Sequence, residues 1–451
     1  MKRILGGALS VVLMSAVWTS NASAATEAQK LTAILNGLAH LDKVQCATAG
    51  ANFGSWATAV CGGGYSDAFT GMAVFAMQTQ KAKWPAAQAA TYALDVTNGI
   101  NYLLSVASKS TVSKNSNNVN ICPGGAASCT AIYWSACTYS TYCTGFVAPA
   151  IDTYALQQGI GTVATATGPL AGLTWTQIAQ GITNAYAAAQ ATVVNGHSNG
   201  GWRYYIPSGG DADMSTAQWG AIASGYNESV GAVTPANVKP ALSTYLAYDI
   251  DTATNAACYE GSAGCGIGPS NSENGAWLVS NAWAGGNLST AGPIAFLNTN
   301  WKVAPNGEWY GNMGHTYAMW STYKGLEASI GLNDTTHITN LNSACGAPNN
   351  LPGSGICNWW EDYNDYLVNS QTSTDAATNK FWPGYNAESG WQDPMSTAVD
   401  VSILGAVALP NTITQGPPPV SVPAVSKWGL VGLGIMLLTF AAMKLRAPRT
   451  V

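Results

Sequence analysis

Carboxylates placed where a loop runs into a helix are the residues of this chain best suited to acid–base work. Asp211 and Asp213 stand two apart in Asp211-Ala212-Asp213-Met214, just before an apolar helical run, and Glu308 and Asp393 occupy similar loop-to-helix positions. Two such groups facing one another across a cleft act as acid and base in cleaving a glycosidic bond. Arg203 and His315 have the charge to neutralise a uronate, and Tyr204, Tyr205 or Tyr317 carries a phenol able to move a proton in an elimination. Trp202 and Asp393 complete the candidate ligand-binding set. Plainer uses compete. Asp213 is a residue type that caps helices, with Asp211 then facing solvent, and acidic residues are favoured at any helix start by the helix dipole. His315 reads equally as a hydrogen-bonded helix-start residue.

Composition narrows the field. Charged residues make up 9% of the chain, the formal net charge is -5, and the 17 Trp and 20 Tyr outnumber the 17 Lys and Arg about two to one, which excludes a phosphate-binding surface and hence nucleic acid. Abundant aromatic and small polar residues suit stacking on sugar rings or lining an apolar cavity, and equally the packing of large helices on one another. The expected ligand is an elongated carbohydrate or apolar molecule.

Met1-Lys2-Arg3, the apolar stretch from Ile4 to Trp18 and Ala22-Ser23-Ala24 have the layout of a signal peptide, so residues 1–24 are expected to be removed by the export machinery. In an oxidising compartment the ten cysteines read as neighbouring couples that close local loops: Cys46 with Cys61, Cys122 with Cys129, Cys137 with Cys143, Cys258 with Cys265 and Cys345 with Cys357. None has the close spacing of a zinc ribbon, and there are only 4 His, so neither a metal nor another cofactor is expected.

A unit of some 50 to 60 residues recurs between Ala25 and Pro410: a helical stretch, a Gly- and aromatic-rich loop, then a second helical stretch. Thr32 to Leu41 leads through Gly54-Ser55-Trp56 to Ala68 to Met77. Ala86 to Val106 is followed by a Cys-rich loop and Gly145 to Leu156. Trp175 to Ala191, opened by a capping box of Thr174 and Gln177, leads to Gly200-Gly201-Trp202-Arg203-Tyr204-Tyr205 and the helix after Asp213. Thr234-Pro235 starts a fourth unit that ends at Ala276 to Trp283. Ile294 to Trp301 pairs with Tyr310 to Leu326. Met395-Ser396-Thr397-Ala398 opens a last helix, Val399 to Leu409, and echoes Met214-Ser215-Thr216-Ala217. Trp359-Trp360-Glu361-Asp362-Tyr363 reads as a sugar platform or as a loop packed on the helices.

Gly-Gly-Trp followed by an acidic helix start resembles the repeats of squalene cyclases and protein prenyltransferases, and the third, fifth and sixth units match that pattern most closely. The resemblance implies an all-α chain, an α/α toroid of about six helical hairpins, here stapled by local disulfides, with loops at one end around a central cavity. It does not carry the chemistry over intact. Class II terpene cyclases present an acid in an Asp-x-Asp-Asp run, and here the last acidic position is Met214. Gly314-His315-Thr316-Tyr317 resembles the repeat that supplies a zinc-bound His in prenyltransferases, yet Glu273-Asn274-Gly275-Ala276-Trp277 offers no Cys to complete the site. Gly264-Cys265-Gly266 resembles the thioester motif of complement-like toroids without its Gln.

After Pro410 the composition changes. Residues 411–427 form a Pro-rich linker, and residues 428–451 hold an apolar run, Leu430 to Met443, and a basic tail of Lys444, Arg446 and Arg449. Pro423, Ser426, Trp428 and Gly429 match the bacterial sorting signals named for Ile-Pro-Thr-Leu, which implies recognition by a sortase-like membrane protease. A permanent membrane anchor is the other reading. The expectation is an exported protein of the cell envelope or surface, a non-catalytic binder of an elongated ligand, with a carbohydrate-active enzyme and a degenerate cyclase as alternatives.

Overall fold

A computed structural model describes residues 25–414 apart from 116–117, 192–199, 208–210, 261–264, 266–267, 308, 343–357, 374–379 and 386–389. The leader, the sorting motif at Pro423, Ser426, Trp428 and Gly429, the apolar run behind it, the couple Cys345 and Cys357, and Glu308 lie outside the described residues. Among those described, no helix is long and apolar enough to cross a membrane.

The described chain is mostly helical. Its helices are α1 (Glu27–Val44), α2 (Ser66–Thr79), α3 (Ala89–Val106), α4 (Ser140–Gln158), α5 (Trp175–Ala189), α6 (Met214–Ser229), α7 (Val238–Tyr248), α8 (Asn271–Ala284), α9 (Ala291–Thr299), α10 (Thr316–Ser329), α11 (Trp359–Ser370), α12 (Met395–Leu404) and α13 (Asn411–Thr414). Two short antiparallel hairpins accompany them, β1 (Ser108–Val112) with β2 (Cys129–Tyr133) and β3 (Thr372–Ser373) with β4 (Lys380–Phe381). Capping boxes begin α1 at Thr26 and Gln29 and α5 at Thr174 and Gln177, each satisfying two otherwise orphaned N–H groups.

The even-numbered helices pack in succession, α2 on α4, α4 on α6, α6 on α8, α8 on α10, α10 on α12, and α12 on α2 again. The odd-numbered ones flank them: α1 against α2 and α12, α3 against α2 and α4, α5 against α4 and α6, α7 and α9 against α8, α11 against α12 and α1. Burial follows. Every residue of α6 from Met214 to Asn227 is buried, so this helix is enclosed on all sides, whereas α1 buries one stripe through Ala33, Ile34, Leu38 and Leu41. A buried pair of Lys30 and Glu361, 3.1 Å apart, and a 2.7 Å bond between His40 Nε2 and Asp393 Oδ2 tie α1 to the last unit.

One device repeats around this packing. The indole N–H groups of Trp56, Trp134, Trp202 and Trp382 donate to the carbonyls of Leu41, Leu103, Tyr186 and Leu367 at 2.8–2.9 Å. Each acceptor is one of the last four carbonyls of a flanking helix, which have no partner within the helix itself. The backbones of the same tryptophans bond to a hydroxyl in the first turn of the next even-numbered helix, or just inside it: Thr70, Thr144, Thr216 and Thr397. Each Trp–Thr couple therefore stitches the end of one helix to the start of the next.

The segment after α12 closes the opposite end. Lys324 Nζ and the hydroxyl of Tyr323 donate to Val407 O, Leu409 N–H donates to Glu327, and the Thr412 hydroxyl donates to Gly225 O while Ile413 fills the space over Gly225. The packed body thus runs to Thr414, four residues into the stretch read as linker.

Several expectations need correction. The Trp359 segment is a helix, α11, opened by Asn358, whose side chain accepts the Glu361 N–H at 2.9 Å. Its many polar residues hid it, because Glu361 and Asp362 are buried and partnered instead of marking a solvated face. The fourth unit starts at Val238 rather than at Thr234, whose hydroxyl bonds Glu228. Residues before His315 form a loop, and α12 stops at Leu404 instead of reaching Leu409.

Candidate functional site

The first turns of α2, α4, α6, α8, α10 and α12 border one cavity of about 480 Å³, through Ala68, Tyr142, Ser215, Glu273, Tyr317 and Met395. Ten of its nineteen described lining residues are aromatic. Tyr139 and Tyr204 stack at 4.4 Å, Tyr317 and Trp391 meet at 4.8 Å, and Trp309 and Tyr310 stand more than a third exposed at the edge. Such walls offer flat apolar faces with polar tips, the combination that grips a ring carrying hydroxyls. Among the described lining residues Glu273 is the one carboxylate, and no Lys, Arg or His contributes.

Glu273 sits in the first turn of α8, buried, with the Ser272 hydroxyl donating to it at 3.0 Å. Burial pushes its carboxyl up to about 7, partly countered by its own N–H and by Ser272, with Asp213 adding to the rise and His315 opposing it. It therefore holds a proton near neutral pH and can donate it to a bound molecule.

Asp213 lies behind the wall, wholly buried. Its carboxylate caps α6 by accepting the Thr216 N–H at 2.9 Å, and also accepts the hydroxyls of Thr216 at 2.8 Å and Ser215 at 2.5 Å. Arg203 Nε faces its other oxygen at 3.3 Å, and the Tyr259 hydroxyl lies at 3.4 Å. Burial raises this carboxyl too, opposed by Ser215, Arg203 and Thr216. Two hydroxyl chains run from it to the cavity. Tyr142 donates to Ser215 Oγ at 2.6 Å, and the Tyr204 and Tyr259 hydroxyls meet at 2.6 Å.

The expected site residues thus separate. Tyr204 and Tyr317 line the cavity, and Tyr317 accepts the Gln218 amide at 2.9 Å. Asp213 supports the wall without lining it. Trp202 is buried in the helix-stitching device and cannot meet a ligand. Arg203 is engaged by Asp213, Asp211 and Glu260 and stacks on Tyr204, so a uronate would have to compete with three carboxylates for it. Asp211 is exposed beside Arg203, and Tyr205 is exposed at the rim against Tyr139. His315 is buried and caps α10, its Nδ1 accepting the Ala318 N–H. Asp393 faces His40 and the Thr397 hydroxyl instead of the cavity. Of the residues sequence reasoning passed over, Glu273 matters most. Its signal was the parallel between Asn271-Ser272-Glu273-Asn274-Gly275 and Asp213-Met214-Ser215-Thr216-Ala217, for Asn274 bonds the Ala257 N–H much as Thr216 bonds Trp202.

The cysteine couples pair as expected for Cys46–Cys61, Cys122–Cys129, Cys137–Cys143 and Cys258–Cys265. Two of these brace the cavity, the third beside Tyr139 and the fourth beside Tyr259, while Cys122–Cys129 lies outside the lining. Replacing either brace or Cys122–Cys129 by paired alanines should cost about 2–3 kcal/mol of stability. Only the braces should also weaken ligand affinity; equal affinity in all three double variants, measured by titration calorimetry, would show that the rim needs no bracing.

In comparison with known proteins, no family model matches the chain, and no curated protein or solved structure matches it either.

Proposed function

We propose that the chain is an exported α/α toroid that binds an elongated, uncharged glycan in the cavity at the N-terminal ends of its inner helices. The closed succession of even-numbered helices with flanking odd-numbered partners supports the toroid. The leader-like N-terminus and four local disulfides support export. The tail after Thr414 supports attachment to the cell envelope, either as an anchor or as the target of a sortase-like protease.

The observation that carries the ligand class is the lining itself. Ten aromatic residues with many phenolic tips, two serines and a carboxyl that holds a proton near neutrality match a neutral sugar chain. A polyprenyl lipid would cover the Glu273 carboxyl, of which Ser272 bonds one oxygen, at about 1–3 kcal/mol for the group left unsatisfied. An acidic glycan would meet no cation among the described lining residues.

Titration of the oxidised full chain with neutral oligosaccharides, uronate oligosaccharides and a polyprenyl alcohol tests this. Binding is expected for the neutral class, with Trp309→Ala weakening it about tenfold by removing a stacking face at the edge. Binding of the uronate or polyprenyl class alone, or of none, overturns the reading.

A further inference from the structure

We propose that the cavity is a hydrolytic centre for glycosidic bonds, with Glu273 as the acid and the Ser215–Asp213 couple as the base. The inference rests on the glycan reading above and adds a reaction to it.

Three placements carry it. Glu273 is the cavity's one described carboxylate, and the Ser272 hydroxyl fixes one of its oxygens. Ser215 lines the same cavity from the adjacent helix α6 and donates at 2.5 Å to Asp213, a carboxylate that is wholly buried. Arg203 lies 3.3 Å from Asp213 on its far side and stabilises its ionised form, as do the three hydrogen bonds it accepts from Ser215 and Thr216. If capping were the only role of Asp213, the Thr216 N–H bond would suffice. The same Oδ1 that caps α6 also accepts the Ser215 hydroxyl, so the capping carboxylate is linked directly to a hydroxyl at the cavity wall.

The reaction consumes one water. Glu273 gives its proton to the bridging oxygen while the bond from that oxygen to the anomeric carbon breaks. Water forms the new carbon–oxygen bond, passing a proton to Ser215 Oγ as Ser215 passes its own to Asp213. The products are two shorter sugar chains. Asp213 then loses its proton to solvent and Glu273 regains one. Glu273 is the catalytic residue that touches the substrate; Asp213 acts through Ser215 and is a positioning residue.

The titratable groups around Glu273 are Asp213 and His315, the caps of α6 and α10, Asp249 just after α7, Tyr317 on α10, Tyr142 on α4 and Tyr259 in the loop before α8. Burial raises all three carboxyls and the three phenols; at Asp213 the Ser215 and Thr216 hydrogen bonds and Arg203 oppose that rise, and of the three carboxyls Glu273 is the one in the cavity lining.

The test uses the oxidised full chain with β-1,4- and α-1,4-linked glucose oligomers and N-acetylglucosamine oligomers, in water enriched in oxygen-18. Binding is read by calorimetry and products by mass spectrometry. Wild type should release shorter chains carrying one heavy oxygen at the new reducing end. Glu273→Gln should still bind the oligomers and lose about 10²–10⁴ in turnover. Ser215→Ala should still fold and bind and should lose turnover, while the alkaline fall of the rate near pH 7, set by Glu273, stays in place. An oligomer that binds wild type and stays whole overturns the hydrolytic centre and leaves the binding reading intact. Turnover undiminished in Glu273→Gln overturns it as well. Failure of every oligomer to bind removes the glycan reading, and this inference with it.

Discussion

Gly275→Ala should unfold the site end of the molecule at a temperature where wild type is intact, with a loss of about 3–5 kcal/mol. A Cβ at this position would lie 2.3 Å from the Ser321 carbonyl carbon and 2.4 Å from Ser321 O and Thr322 N, all backbone atoms of α10 that no rotamer change can move. Gly325 answers from the other side, its own Cβ position being 2.4 Å from Gly275 O. Alanine improves helix propensity by at most about 1 kcal/mol, so the clash wins. Because Glu273 and Tyr317 sit in the first turns of the two helices held apart, the variant should also lose ligand affinity out of proportion to its unfolded fraction at low temperature. Melting within a degree or two of wild type would mean that α8 and α10 do not approach so closely.

Asp152→Asn should have the opposite sign. Asp152 is wholly buried in α4, and neither of its oxygens bonds to another group among the described residues. Burial alone lifts its carboxyl well above the ordinary range. A carboxyl raised in the folded state binds more protons folded than unfolded. Its contribution is therefore fully favourable below the unfolded value near pH 4 and is lost as pH rises toward the folded value, at up to about 1.4 kcal/mol per pH unit. The variant should match wild type near pH 4, exceed it by about 1–3 kcal/mol at pH 8, and show a flatter profile between. Denaturant unfolding at the two pH values decides the matter; parallel profiles would show that Asp152 has the same proton affinity in both states.

What the residues disclosed in advance follows from where each sits. The capping box at Thr174 and Gln177 and the four cysteine couples among the described residues depend on close sequence neighbours, and both were legible. The cap at Asp213 was legible for the same reason. The interior helices were harder. Every residue of α6 from Met214 to Asn227 is buried, so hydrophobic periodicity, which reports a helix with one wet face, had nothing to report. Helix α11 failed the other way, because its buried acids are partnered at a distance in sequence, Glu361 by the Lys30 ammonium and Asp362 by the Trp301 indole N–H that donates to it. The Trp-to-Thr stitching was present in the sequence as Trp56 with Thr70, Trp134 with Thr144, Trp202 with Thr216 and Trp382 with Thr397, at separations that vary with loop length. Glu273 escaped notice since its chemistry comes from burial, a property of the assembled cavity and not of its neighbours in sequence.

Residues 405–414 seal one end of the helical body, and the cavity opens among the first turns of the same helices at the other, a helix length of roughly 24 Å away for the sixteen residues of α6. Thr414, the last residue described, thus lies at the end of the body remote from the cavity. Under the proposed attachment to the envelope, the point of attachment would therefore begin at the end of the body remote from the cavity. On the proposed glycan reading, such an attachment point leaves the approach to the cavity clear of the tether.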